Sequence, residues 1–343
     1  MLSLKRTFAL CALCVVASSV WVSADEPLVL FATPNGNTIE PSLGCQANDG
    51  VDWHFQDPPA DTKWIQKKSF VEPNSDQAFV PDDMPARTLA APPRKPSAIG
   101  GAEFMKSVVG LPIAERESAM LRELLTGNLP NASRVLTPVR VQCKDSLGNV
   151  HSGTVFAMSD YLAVGVDGDS FRVPLSPNTA MQVAEAFGTV LLTTKLSDDI
   201  FAAATVQLDP RPLTHDRESV ATFFEHHRII NAQLLGFPDP RLVAGTKKDI
   251  VFSNALRNQK PDRVAIYGWH TNVGQPIQRL YLGHKDSYVD YSHGVRFVSE
   301  KVVVDGVAMQ IMEALKSPEL HTLFSNEGEL DLQELRAQYY RPH

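Results

Sequence analysis

The chain has 343 residues and a formal net charge of −7, from 32 Lys and Arg against 39 Asp and Glu. That length is enough for one large core or two modest ones. The acidic balance, with no clustered Lys/Arg run, excludes nucleic acid as a general partner, since phosphate binding needs such clusters.

Residues 1–24 read as a signal peptide. "MLSLKR" is a short basic start, "TFALCALCVVASSVWV" an apolar core, and "VSA" ends at Ala24 with small residues at the cleavage positions. The apolar run is roughly 16 residues, short of the roughly 20 that cross a bilayer. Acidic "DE" follows it rather than basic stop-transfer residues. Leu13 before Cys14 does not fit a lipoprotein. The expectation is a secreted or periplasmic protein with no stable membrane insertion after cleavage. Beyond residue 24 only Cys45 and Cys143 remain, without a CxxC pair or Cys/His zinc spacing. One bridge between them is allowed but not demanded. Cys143 in "VRVQC" has nothing beside it to activate a thiol.

Residues 25–100 carry a large share of the 24 prolines, as in "FQDPPADTKW" and "MPARTLAAPPRKPSAIGG". Proline at that density removes backbone donors and blocks helix, which predicts an extended Pro-rich arm. Trp53 and Trp64 suggest that parts of it pack.

From 101 to 343 the pattern is globular. "LPIAERESAMLRELLTG" predicts a helix ending at Gly127, and strands follow with turns at "DSLGN" and "DGD". "SPNTAMQVAEAFG" is a helix with Ser176 as cap, Pro177 in the first turn and Gly188 closing it. "TVLLTTK" is a strand, "SDDIFAAATVQL" a helix capped by Ser197, and "RESVATFFEHHRIINAQLLG" a helix stopping at Gly236. "KKDIVFSNAL", "DRVAIYGWH", "IQRLYLGH" and "GVRFVSEKVVV" are further strands, and "VAMQIMEALKS" and "DLQELRAQYY" closing helices. Strands and helices partly alternate and partly run together, which favours α+β with a mixed or largely antiparallel sheet. No Gly-rich phosphate loop follows any strand.

Candidate chemistry concentrates in residues 245–296, above all in "YLGHKDSYVDYSHGVRFV". In an extended strand His284, Asp286, Tyr288, Asp290 and Ser292 share one face and His293 points away. In a helix Asp286, Asp290 and His293 align and His284 is left out. Only a bend near Tyr291–Gly294 gathers both histidines with the aspartates, with Gly294 supplying backbone freedom. So gathered, His284, Asp290 and His293 are the residue types that hold zinc or a similar divalent ion with an open position for water. A metal-free version has Asp290 orienting His293 as a base.

Asp286, Tyr288, Lys248 and His270 are supporting candidates. Lys248 is suited to an anionic substrate group, although Lys247, Lys248 and Asp249 read more plainly as a solvated turn before a buried strand. His270 ends "YGWH" and stands far from His284 if the two strands form a hairpin. Ser292 lacks a nucleophile elbow, and His226 and His227 diverge on their helix. No motif names a family. The expectation is an exported hydrolase acting on an extracytoplasmic polymer, cell-wall peptide or glycan. The alternative is a non-catalytic exported protein that binds a glycan or partner or serves the envelope structurally.

Overall fold

In the computed structural model, residues 20–23, 26–28, 84–237, 242–259 and 262–339 are described. Most of the expected signal peptide and Pro-rich arm, with Cys45, Trp53 and Trp64, lies outside the described residues. The chain divides into two units, Met1–Lys68 and Ser69–His343. In the first, Val20–Ser23 pairs antiparallel with Glu26–Leu28. The second unit carries the whole candidate region.

The second unit is α+β, as its sequence predicts. Among the described residues it has seven helices and an 11-stranded, largely antiparallel sheet. The sheet runs Pro276–Tyr281, Ile266–His270, Lys248–Phe252, Thr189–Thr193, Phe297–Ser299, Val150–Met158, Lys301–Val304, Val307–Gln310. Val135–Lys144 also pairs with Val150–Met158, as a long hairpin over the predicted "DSLGN" turn. Residues 84–100, expected in the arm, belong to this body. Arg87 and Thr88 pair with Leu136 and Val135, and Arg94 Nε donates to Asn128 Oδ1 at 2.9 Å.

Local chemistry explains most boundaries. The Ser176 hydroxyl caps Pro177–Ala186 by accepting from the Thr179 N–H, and Ser219 caps Val220–Gln233 in the same way through Thr222. Two boundaries differ from expectation. The helix expected to start at Ser197 is Thr194–Ala203, because Thr193 is itself extended and its hydroxyl accepts from the Leu196 N–H. The preceding strand therefore passes into the helix without a loop, and Ser197 is freed to donate to Asp249 at 2.5 Å. "VAMQIMEALKS" is not one helix either. Val307–Gln310 is a strand paired with Lys301–Val304, and only Ile311–Lys316 is helical. Asp305 and Gly306, with φ of 49° and 82°, form the two-residue turn whose twist suits a hairpin.

Lys248–Phe252 is where the sheet's direction changes. One edge pairs antiparallel with Ile266–His270. The other edge has two parallel neighbours in succession. Val251 and Phe252 meet Leu192 and Thr193, while Lys248 and Asp249 meet His293 and Gly294. Val190, Leu191, Leu192, Ile250, Val251, Phe252, Phe297 and Val298 are all buried, the continuous apolar runs of strands covered on both faces.

The stretch Tyr281–Val298 is neither straight strand nor helix. It turns at Lys285–Tyr288 and again at Asp290–His293, each turn closed by a 3.1 Å backbone hydrogen bond. The second turn is the bend that the sequence required. Gly294 does not serve it through backbone freedom, because its φ is not among the positive ones. A Cβ at Gly294 would instead lie 2.3 Å from the Tyr161 ring and 2.9 Å from Lys247 Cβ. Gly294→Ala is therefore expected to lose about 1–3 kcal/mol of stability, read as a lower urea midpoint with an unchanged slope.

Candidate functional site

The site is built on charged residues inside the sheet. Lys247, Lys248 and Asp249 are only 1%, 6% and 5% exposed, so the solvated-turn reading of this stretch is wrong. Pairing on both edges draws the segment into the core before its apolar run begins. Strand alternation then divides the charges. Lys247 Nζ donates to the Tyr291 carbonyl at 2.5 Å and lies 3.4 Å from His226 Nδ1. Asp249 accepts from Ser197. Lys248 goes the other way, its ammonium 5.6 Å from the Trp269 ring.

Asp290 forms the floor and is fully buried. Oδ2 accepts from Arg217 Nη2 at 2.6 Å and from the Tyr288 hydroxyl at 3.3 Å. Oδ1 accepts from the Ser292 N–H at 2.8 Å and from the Ser292 hydroxyl at 2.5 Å. Ser292 is thus a carboxylate anchor and not a nucleophile presented to His293. Burial alone would raise the Asp290 carboxyl. It is outweighed by His293, protonated at the low pH where that carboxyl titrates, by Ser292 and by Lys248, which together hold it well below the usual range. Asp290 is an anion at neutral pH.

His293 stands beside it, with Nε2 4.0 Å from Asp290 Oδ1, too far for a hydrogen bond. Both of its ring nitrogens are buried without a partner. Burial, aided by Lys248, His284 and Lys247 and opposed by Asp290, lowers its pKa to about 4. The imidazole is neutral at pH 7. His284 and Tyr288 form a half-exposed rim, stacked at 4.2 Å between ring centres. The His284 and His293 rings are 6.2 Å apart, and Tyr288 meets His293 edge-on at 5.8 Å. Burial lowers the His284 pKa as well. Trp269 completes the wall. Its φ of 55° is left-handed, its indole N–H is buried without a partner, and its ring packs edge-on against His226 and Tyr291.

Five of the seven residues singled out in the sequence are therefore neighbours: His284, Tyr288, Asp290, His293 and Lys248. Two are not. His270 closes the expected hairpin opposite Pro276 and bonds Asp198 Oδ1 through Nε2 at 2.7 Å, stacked on Phe201. Asp286 is buried where its N–H donates to the Asp262 carbonyl, and none of its hydrogen bonds among the described residues reaches Asp290 or His293. His284, Asp290 and His293, the expected metal donors, lie together, with the carboxylate already engaged. Both Asp290 oxygens are engaged by Arg217, Tyr288 and Ser292. Among the described residues no group of three or more His, Cys, Asp or Glu is placed to hold a metal ion.

Sequence reasoning missed Arg217, which lies 73 residues from Asp290 within an unremarkable "HDRESV". It also missed the burial of Lys247, for which only the apolar "DIVF" behind it gave a signal. Compared with protein-family models, with curated proteins and with solved structures, the chain matches none.

A buried base with a lowered pKa binds fewer protons folded than unfolded. Stability therefore rises with pH between about 4 and His293's ordinary value of 6.5, and is lost as pH falls through that window. The share belonging to His293 is on the order of 3 kcal/mol. His293→Gln is expected to flatten the loss between those two pH values, measured by urea unfolding at each.

Proposed function

We propose that the protein is an exported hydrolase in which His293 is the general base and Asp290 the neighbouring carboxylate that stabilises the imidazolium formed. The observation that carries this reading is a neutral, buried imidazole with both nitrogens unpartnered, beside a carboxylate kept ionised and fixed by Arg217, Ser292 and Tyr288. A purely structural histidine at this depth would use at least one nitrogen for a protein hydrogen bond. In this reading a water molecule admitted to the site bonds to one of these nitrogens.

In the proposed step, His293 takes a proton from that water as its oxygen bonds to the electrophilic carbon of the substrate. Asp290 offsets the positive charge that appears on the ring. The proton then passes to the leaving group as its bond breaks, so that nothing is consumed but water. His284, 6.2 Å away on the half-exposed rim, offers a second imidazole for that return transfer. Lys248 adds a positive charge beside the developing anion. The substrate proposed is an extracytoplasmic polymer, cell-wall peptide or glycan, in keeping with the signal-like residues 1–24. A metal-free reaction fits the donor geometry better than a zinc one. A stacking platform for glycan gains no support from Trp269, which is buried.

His293→Gln and Asp290→Asn are each expected to lower kcat on cell-wall polymer by about 10²–10⁴-fold, while circular dichroism stays unchanged at pH 7. Full activity in both variants would overturn the assignment, and polymer binding without turnover in the native chain would favour the non-catalytic reading. A stoichiometric zinc required for activity, found by elemental analysis and chelation, would replace the metal-free step.

A further inference from the structure

Arg217 reaches Asp290 from residues 213–219, a stretch that is neither strand nor helix and leads into Val220–Gln233. Asp216 within it is left-handed, with φ of 34°. A residue other than glycine keeps such a backbone only when its surroundings fix it. Two elements do so here. One is the bend of the site itself. The Tyr291 hydroxyl bonds the Leu213 N–H and carbonyl, and the Tyr291 N–H donates to the Arg217 carbonyl at 2.9 Å. The other is the helix Ile113–Leu125, from which Arg116 Nη1 donates to the next carbonyl, that of Glu218, at 2.9 Å.

Arg116 is a costly residue for that place. It is 4% exposed, and its Nε and Nη2 are buried without a partner. Burial, opposed by Glu117 and Glu218, lowers its pKa. Its guanidinium otherwise lies 4.8 Å over the Phe223 ring, a contact that an apolar side chain of similar length would also make. Replacing a buried, poorly matched charge by such a side chain is often neutral or stabilising. Stability therefore gives little reason for an arginine. The Glu218 carbonyl gives one, because it lies one peptide unit from the residue that holds Asp290.

We infer that Arg116 is a positioning residue for Asp290, which it serves by fixing the Glu218 carbonyl and with it the backbone of Arg217. Without that bond the turn relaxes at Asp216. Arg217, whose side chain is 41% exposed, then exchanges Asp290 Oδ2 for solvent. Asp290 keeps Ser292 and Tyr288 but loses its cation. The inference rests on the hydrolase reading only where kcat is measured.

The test is the guanidinium resonance of Arg217 in the ¹⁵N-labelled intact chain, assigned with Arg217→Lys. A guanidinium held on a carboxylate rotates slowly about Nε–Cζ and shows separate Nη signals, which merge when it is free in water. In Arg116→Met the rotation is expected to speed up about tenfold or more, the factor that loss of one hydrogen bond to a charged group implies. The urea midpoint is expected to stay or rise. Should Arg116→Met not fold, Arg116→Gln takes its place, with the same expectation for Arg217.

Merged Arg217 signals in the native chain overturn the inference. So does slow rotation retained in the variant, with or without a lower urea midpoint, since a purely structural arginine gives that result. On cell-wall polymer, Arg116→Met is expected to lower kcat about tenfold and leave KM in place. Released Arg217 with unchanged kcat, in a chain that does hydrolyse, also overturns it. Released Arg217 in a chain that never hydrolyses supports the positioning and removes only the hydrolase reading.

Discussion

The structure depends on accommodating three consecutive charged residues, Lys247, Lys248 and Asp249, inside a sheet. Burying three charges in so short a segment incurs a large desolvation penalty. Alternation sends the three to opposite faces, so each face must supply polar partners in the middle of an apolar core. Behind the strand, Tyr291, His226, Tyr161 and Ser197 meet Lys247 and Asp249. In front of it, Asp290 and Trp269 lie close to Lys248. The parallel pairing of His293–Gly294 with Lys248 and Asp249 ties these arrangements together, because it fixes the bend of the following loop against the charged strand.

Asp290 is the residue through which that constraint becomes chemistry. Four donors hold its oxygens in one orientation, and they come from three places in the chain: Arg217, Tyr288 and, twice, Ser292. A carboxylate so fixed does not reorganise when charge appears next to it, which is the condition for electrostatic stabilisation to be effective in a site of low dielectric. It also explains why His293 tolerates a buried position without a hydrogen bond. The turn from Asp290 to His293 sets the ring's place, and the ring need not be held by a polar tether.

Much of this was legible in the residues. The cap at Ser176 and the need for a bend before Gly294 both follow from local chemistry, and the structure agrees with them. The sequence misled where context overrides the local signal. Ser197 is a good helix cap by type, but Thr193 already occupied that role and Asp249 needed its hydroxyl. Lys247 and Lys248 look solvated because paired lysines usually are, and only the sheet's topology draws them in. "VVVDGVAM" carried a plain hairpin turn that the helical spacing of the residues beyond it concealed. Arg217 could not have been found, since no short-range pattern links it to Asp290.

Trp269 holds a conformation that its residue type disfavours. A left-handed backbone at a large aromatic residue costs on the order of 1 kcal/mol or more, and here it accompanies a ring packed edge-on against His226 and Tyr291. The neighbouring Gly268, also at positive φ, leaves room for Ser197 and His270 behind it. Thermostability selection acting on this chain would therefore press on position 269, where a residue that tolerates positive φ relieves the strain but gives up the ring's packing. The strain at this one peptide unit is offset by the packing that the ring gains behind the charged strand.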